Sequence, residues 1–176
     1  MSVIKKFALK LRHVFHKPSA IIERKTTTFN LAKTIGILIY NPEKKYNADV
    51  NDFINELIKD GKTVEIICFL HKKNPQPCNF PFYPFSSNDL DWKASLKNKK
   101  LNNFIKTDFD YLYSINISPF LPLNYILQKS RAKCRVGSYS NGRENLELII
   151  ELGKDRRLDN LVKQMSIYSK KIKSDE

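Results

Sequence analysis

The stretch KSRAKCRVGSYSNGR gathers Lys129, Arg131, Lys133, Arg135 and Arg143 within 15 positions. Arginine is scarce elsewhere, since the chain holds seven arginines against 24 lysines. A guanidinium grips phosphate through two parallel N–H donors, whereas an ammonium offers only a point charge. Arg131, Lys133, Arg135 and Arg143 are therefore candidate polyanion ligands, with Tyr139 offering a ring on which a base could stack. A structural reading competes with this one. Lys129 and Arg131 would complement a helix C-terminus, and Arg135 would pair with a strand carboxylate such as Glu147.

A second group of cations opens the chain. Residues 1–33 hold eight Lys/Arg and only Glu23 among the acids, about half of the formal net charge of +13. Lys5, Lys6, Lys10, Arg12, Arg24 and Lys25 are the candidate contacts in this group. Val3, Phe7, Leu11, Val14 and Phe15 recur at spacings of three and four, which gathers them on one side of a helix. Pro18 ends that helix, and SAIIERKTTTFN reads as an extended basic connector. Such an arm can track RNA phosphates, lie on an anionic membrane surface, or dock its stripe on the protein's own core.

Other chemistry is thinly represented. Asp89 and Asp91 form a DxD that could share a divalent cation, although loop aspartates more often serve turns and caps, and Asp108 and Asp110 at a strand start read the same way. His13, His16 and His71 form no metal or triad pattern. Neither GxGxxG nor GxxxxGK[ST] occurs, and the turn after the first strand, NPEKKYNADV, has no glycine to let a backbone cradle phosphate, so only Lys44 and Lys45 near the next helix start could meet one. No cofactor, metal or catalytic residue is predicted. Cys68, Cys78 and Cys134 are odd in number and share no framework spacing, which predicts a reducing, cytoplasmic setting, with Cys68 an inert core thiol. No apolar run is long enough to span a bilayer.

The elements that must carry these residues alternate. TIGILIY, TVEIICFL, FDYLYSINIS, CRVGSY and LELIIEL read as strands, with FPFYPF as an edge strand. Between them NADVNDFINELIKDGK, SLKNKKLNNFIKTDF, LPLNYILQKSRA and RRLDNLVKQMSIYSKKI read as helices, the first capped by Asn47 and closed by Gly61. The pattern predicts an α/β fold, one doubly wound, Rossmann-like, mostly parallel sheet of about five strands, preceded by the basic N-terminal amphipathic helix. Residues 1–33 form the helix and connector and residues 34–173 the α/β domain.

FDYLYSINISPFLPLNYILQKSRAKCRVGSY resembles an uncharacterised bacterial family of small basic α/β proteins, in which a basic N-terminal segment precedes a strand, a proline-flanked helix and an "sRAkfrvG" strand. The likeness covers most of the chain and implies no activity. The same stretch is similar to the acceptor half of heptosyltransferase-type glycosyltransferases, whose "fDlvidL" strand leads to "lsgakrriG". The second Rossmann-like half, which holds the nucleotide sugar in that family, has no counterpart here, so the likeness implies kinship of fold. Charge asymmetry without catalytic motifs points to a non-enzymatic protein that binds RNA or associates with the ribosome. A peripheral protein on an anionic membrane and a degenerate or partial glycosyltransferase-like enzyme are the alternatives. Oligomeric state is left open.

Overall fold

A computed structural model describes residues 24–40, 48–70, 80–86, 89, 98–139 and 145–172. The amphipathic N-terminal helix, with Lys5, Lys6, Lys10 and Arg12, lies outside the described residues, as do Lys44, Lys45, Asn47, Cys78, Asp91, Arg143 and the three histidines. Among the described residues there are six strands: β1 (Thr34–Tyr40), β2 (Thr63–Phe69), β3 (Tyr83–Phe85), β4 (Tyr111–Ile115), β5 (Cys134–Ser138) and β6 (Leu148–Ile150). The helices are α1 (Ala48–Lys59), α2 (Lys99–Lys106), α3 (Leu121–Lys129) and α4 (Leu158–Ser169), after a 3-10 turn at Phe29–Leu31. All neighbouring strands run parallel in the order β3-β2-β1-β4-β5-β6. That is the doubly wound order, reversing between β1 and β4.

Side chains alternate across the sheet because successive Cβ atoms point to opposite faces. Ile35, Ile37 and Ile39 of β1 join Tyr111, Tyr113 and Ile115 of β4 in one core, where α1 and α4 contribute Phe53, Ile54, Leu161 and Met165. Leu38, Ile67 and Leu112 face the other core with Leu101 and Phe104 of α2 and Leu123, Ile126 and Leu127 of α3. Burying both faces explains why the central strands read as unbroken apolar runs. Gly36 sits where β1 meets tightly packed side chains: a Cβ there would lie 2.8 Å from Phe109 and Leu112. Any larger residue must push the aromatic ring aside.

The edges and ends follow local chemistry. β3 pairs only with β2 and carries Pro84, which lacks the N–H an interior strand would need. Gly61, at φ 74°, ends α1 with its own N–H on Ile58 O and the Lys62 N–H on Leu57 O. Asn98 caps α2 by accepting from the N–H groups of Lys100 and Leu101. No helix among the described residues is long and apolar enough to cross a membrane.

Candidate functional site

A parallel sheet has two unlike edges, because every strand enters at one and leaves at the other while the helices run back. Helix C-termini therefore gather at the amino edge, with their lysines (Lys59, Lys106, Lys129) beside the strand starts.

Residues 24–33, assigned from sequence to the connector, cross this amino edge. Arg24 donates from one guanidinium nitrogen to Ala132 O and from the other to Ser130 O at 3.0 Å, just before β5. The Tyr111 hydroxyl donates to Thr27 O at 2.7 Å, and the buried Phe29 ring meets Tyr111 edge-on at 5.6 Å. Lys62 is also buried, its ammonium donating at 2.9 Å to both Phe29 O and Ala32 O and sitting over the Phe29 ring. The segment is thus laced to the starts of β5, β4 and β2 in turn.

Asp110 continues the lacing. Its carboxylate accepts from the N–H groups of Lys33 (2.8 Å) and Thr34 (3.0 Å), from the Thr34 hydroxyl (3.1 Å) and from Lys133 Nζ (2.7 Å). Burial favours the protonated acid, yet the hydrogen bonds from Lys133, Lys33 and Thr34, with the Lys133 charge, prevail and hold the pKa down at about 2. Asp108 takes Arg131 at 2.9 Å on the open surface. Asp110 thus caps the start of β1, while Asp108 pairs with an exposed arginine.

The arginine cluster divides here. Arg135, expected from sequence as a polyanion ligand, is turned inward with its side chain 8% exposed. It holds Glu147 with two prongs, Nε to Oε2 at 3.0 Å and Nη2 to Oε1 at 2.7 Å, while its backbone N–H reaches Oε2 at 2.7 Å. Arg24, likewise expected as a contact, is buried alongside, 3.5 Å from Glu147 Oε1. Burial by the neighbouring backbone, followed by repulsion from Arg135, lowers the Arg24 pKa, and Glu147 opposes that shift. Desolvation accounts for both placements: a cation at the start of a covered strand must be paired, and Glu147 supplies the opposite charge. Arg135 is thus paired with the strand-side carboxylate that its sequence position suggested. Arg131 and Lys133 remain 58% and 43% exposed in their side chains, and Lys25 is exposed. Arg24, Lys25 and Lys33 of the first cationic region therefore share one edge with Arg131 and Lys133 of the second.

At the carboxyl edge, the reversal point between β1 and β4 is filled by rings. Tyr40 stacks on Phe120 at 3.8 Å between centroids, and Phe69 meets Phe120 at 4.6 Å and Phe85 at 5.0 Å. Beyond it, Asn116 ties the ends of β4 and β5: Ser114 Oγ donates to its Oδ1 (2.8 Å), its Nδ2 donates to Ser118 O (2.8 Å), and Ser138 Oγ donates to its backbone O (3.0 Å). A cavity of about 360 Å³ opens beside this knot, walled by Ile117, Ser138, Tyr139, Ile150, Glu151 and Arg156. Sequence reasoning missed it. The usable signals were Tyr139, noted only as a stacking ring, and the lone glycine in ELGKDRR.

Elsewhere the chemistry is structural. Asp89 accepts from the Ser86 N–H (2.8 Å) and from Asn98 (3.0 Å) as a turn residue. Among the described residues no group of His, Cys, Asp and Glu could hold a metal ion. Cys68 and Cys134 are buried thiols outside any disulfide, and burial, with the Glu147 charge, pushes Cys134 up to about 12, far from a reactive thiolate.

The sheet order, the helices on both faces and the absence of a glycine-rich first turn define a Rossmann-like α/β protein that departs from the dinucleotide-binding pattern. The chain belongs to the family of unknown function DUF6913, whose match spans residues 5–172. No curated protein and no solved structure matches it. Membership brings no activity with it.

Proposed function

We propose that the chain is a non-enzymatic polyanion-binding protein whose partner is RNA, free or within the ribosome. One observation carries the reading. The bonds from Arg24 to Ser130 O and Ala132 O set Arg24 and the residues after it beside Arg131 and Lys133, so described cations from both basic regions of the sequence share a single edge. Exposed Lys25, Lys33, Lys106 and Lys129 lie on that edge with them. Arg24 and Arg135 serve as anchors of the edge rather than as phosphate contacts.

Salt-dependent RNA binding tests this. Each phosphate neutralised on a single strand contributes about −0.7 to the slope of log affinity against log salt, so about five contacts give a slope near −3.5. Replacing Lys25, Lys33, Lys129 and Arg131 together with Gln should flatten the slope by about 3 and leave the melting temperature in place, since all four are exposed. A flat response in the unaltered chain overturns the reading. Binding to anionic vesicles without binding to RNA overturns it in favour of a membrane surface.

A further inference from the structure

The cavity at the carboxyl ends of β4, β5 and β6 lies on the opposite edge from the basic face, on the side where open α/β sheets take ligands. Its volume of about 360 Å³ falls within the range of small-molecule sites. Its walls differ in kind. Ile117, Ile150 and Leu152 supply apolar surface, Tyr139 supplies a ring 54% exposed, and Glu151 and Arg156 supply opposite charges. Gly153, at φ 58°, turns the chain along one wall, and a Cβ on it would meet no atom within 4 Å, so the space beside the backbone is open.

Two features set this cavity apart from an incidental surface dent. The first is its floor: Ser138 is 4% exposed and Asn116 fully buried, and the Ser138–Asn116–Ser114 hydrogen bonds fix the strand ends without the ligand having to order them. The second is the contrast between adjacent arginines. Arg157 is engaged by Asp155 at 2.8 Å and Asp159 at 3.1 Å, whereas Arg156 has no ion pair among the described residues and faces the cavity. A guanidinium in the same cavity wall as a half-exposed tyrosine suits a molecule that carries both an anionic group and a planar ring.

We propose that this cavity is a binding site for a small ring-bearing anion of mononucleotide size, with Arg156 holding the phosphate and Tyr139 stacking on the base. The site is independent of the basic edge and needs none of the glycine-rich loops that this chain lacks.

The test titrates AMP and UMP into the full chain, with inorganic phosphate and the matching nucleosides as separate arms. At least one mononucleotide should bind, and both inorganic phosphate and the nucleoside should bind about tenfold more weakly than it, because each lacks one of the two recognised parts. Arg156→Gln should weaken the mononucleotide by about tenfold and Tyr139→Leu by several-fold. Both residues are exposed, so an unchanged melting temperature verifies that the variants fold. Arg156→Gln should also leave the salt slope of RNA binding unchanged. Absence of mononucleotide binding, equal affinity for inorganic phosphate, unaltered affinity in Arg156→Gln, or loss of RNA binding in that variant would each overturn the proposal.

Discussion

At the amino edge of the sheet Asp110 gathers the backbone of Lys33 and Thr34 with the Lys133 ammonium, and Glu147 gathers Arg24 and Arg135. At the carboxyl edge the ends of β4 and β5 are joined by neutral groups, Ser114, Asn116 and Ser138, and a charged side chain, Arg156, stands clear of the knot. The same alternation of strand and helix produces both. The difference is that the amino edge must hold an incoming N-terminal segment whose buried cations require partners, while the carboxyl edge has only to fix two strand ends. Covered ion pairs such as Arg135–Glu147 are therefore the sign of assembly in this protein, and exposed cations mark the surfaces left for partners.

The largest effect should come from breaking the pairing at Glu147. Glu147→Ala leaves Arg24 and Arg135 facing one another with no carboxylate between them, in a site where both side chains are nearly covered. Removing one partner of a buried pair typically costs about 3–5 kcal/mol, and the partial exposure of Glu147 places the expected loss near the lower figure, about 3 kcal/mol. Urea unfolding followed by circular dichroism measures it. A loss under about 0.5 kcal/mol would show that the amino edge does not depend on this carboxylate and would remove the contrast between the edges.

A smaller effect, with a definite pH signature, belongs to Asp110. Its folded pKa of about 2 is depressed from the model-peptide value of 3.8, so the ionised form stabilises the fold. That contribution is fully present above about pH 4 and is lost as pH falls through about 2. The nominal shift corresponds to about 2.4 kcal/mol, which the exposure of the Lys133 partner reduces to about 1–2 kcal/mol. The stability difference between the unaltered chain and Asp110→Asn, measured by urea midpoints from pH 5 to pH 2, should shrink by this amount over that window. A difference that stays constant with pH would assign the role of Asp110 to its geometry alone.

The fold was readable because its determinants are local and periodic. TIGILIY and FDYLYSINIS announce strands covered on both faces, Gly61 marks the end of α1, and the prolines of FPFYPF suit the edge position that β3 occupies. Strand order was not readable, since it depends on which parallel neighbours the crossovers select. The amino edge was half readable: Glu147 was named as the partner of Arg135, but nothing in the sequence showed that Arg24 would join them across more than a hundred residues. The cavity was the least readable part. Its walls come from three separate strand ends with no shared motif, and residues 150–156 look like an ordinary charged turn until Ile117 and Tyr139 are brought beside them.

The smallest effect on stability should come from the carboxyl edge, and it separates the two edges most cleanly. Ser138→Ala removes the hydroxyl that donates to Asn116 O at 3.0 Å and leaves that carbonyl, just past the end of β4, without this donor. A neutral hydrogen bond of this kind is worth about 1 kcal/mol net, well below the expected loss at Glu147. The backbone ladder between β4 and β5 persists through Tyr111 to Ser114, so the strands stay paired and only their ends gain freedom. Mononucleotide affinity should fall with that freedom even though the melting temperature moves little, because the cavity floor is no longer fixed in advance. If Ser138→Ala instead destabilises the chain as much as Glu147→Ala does, the neutral knot is as structural as the ion pairs and the carboxyl edge has no special claim to ligand binding.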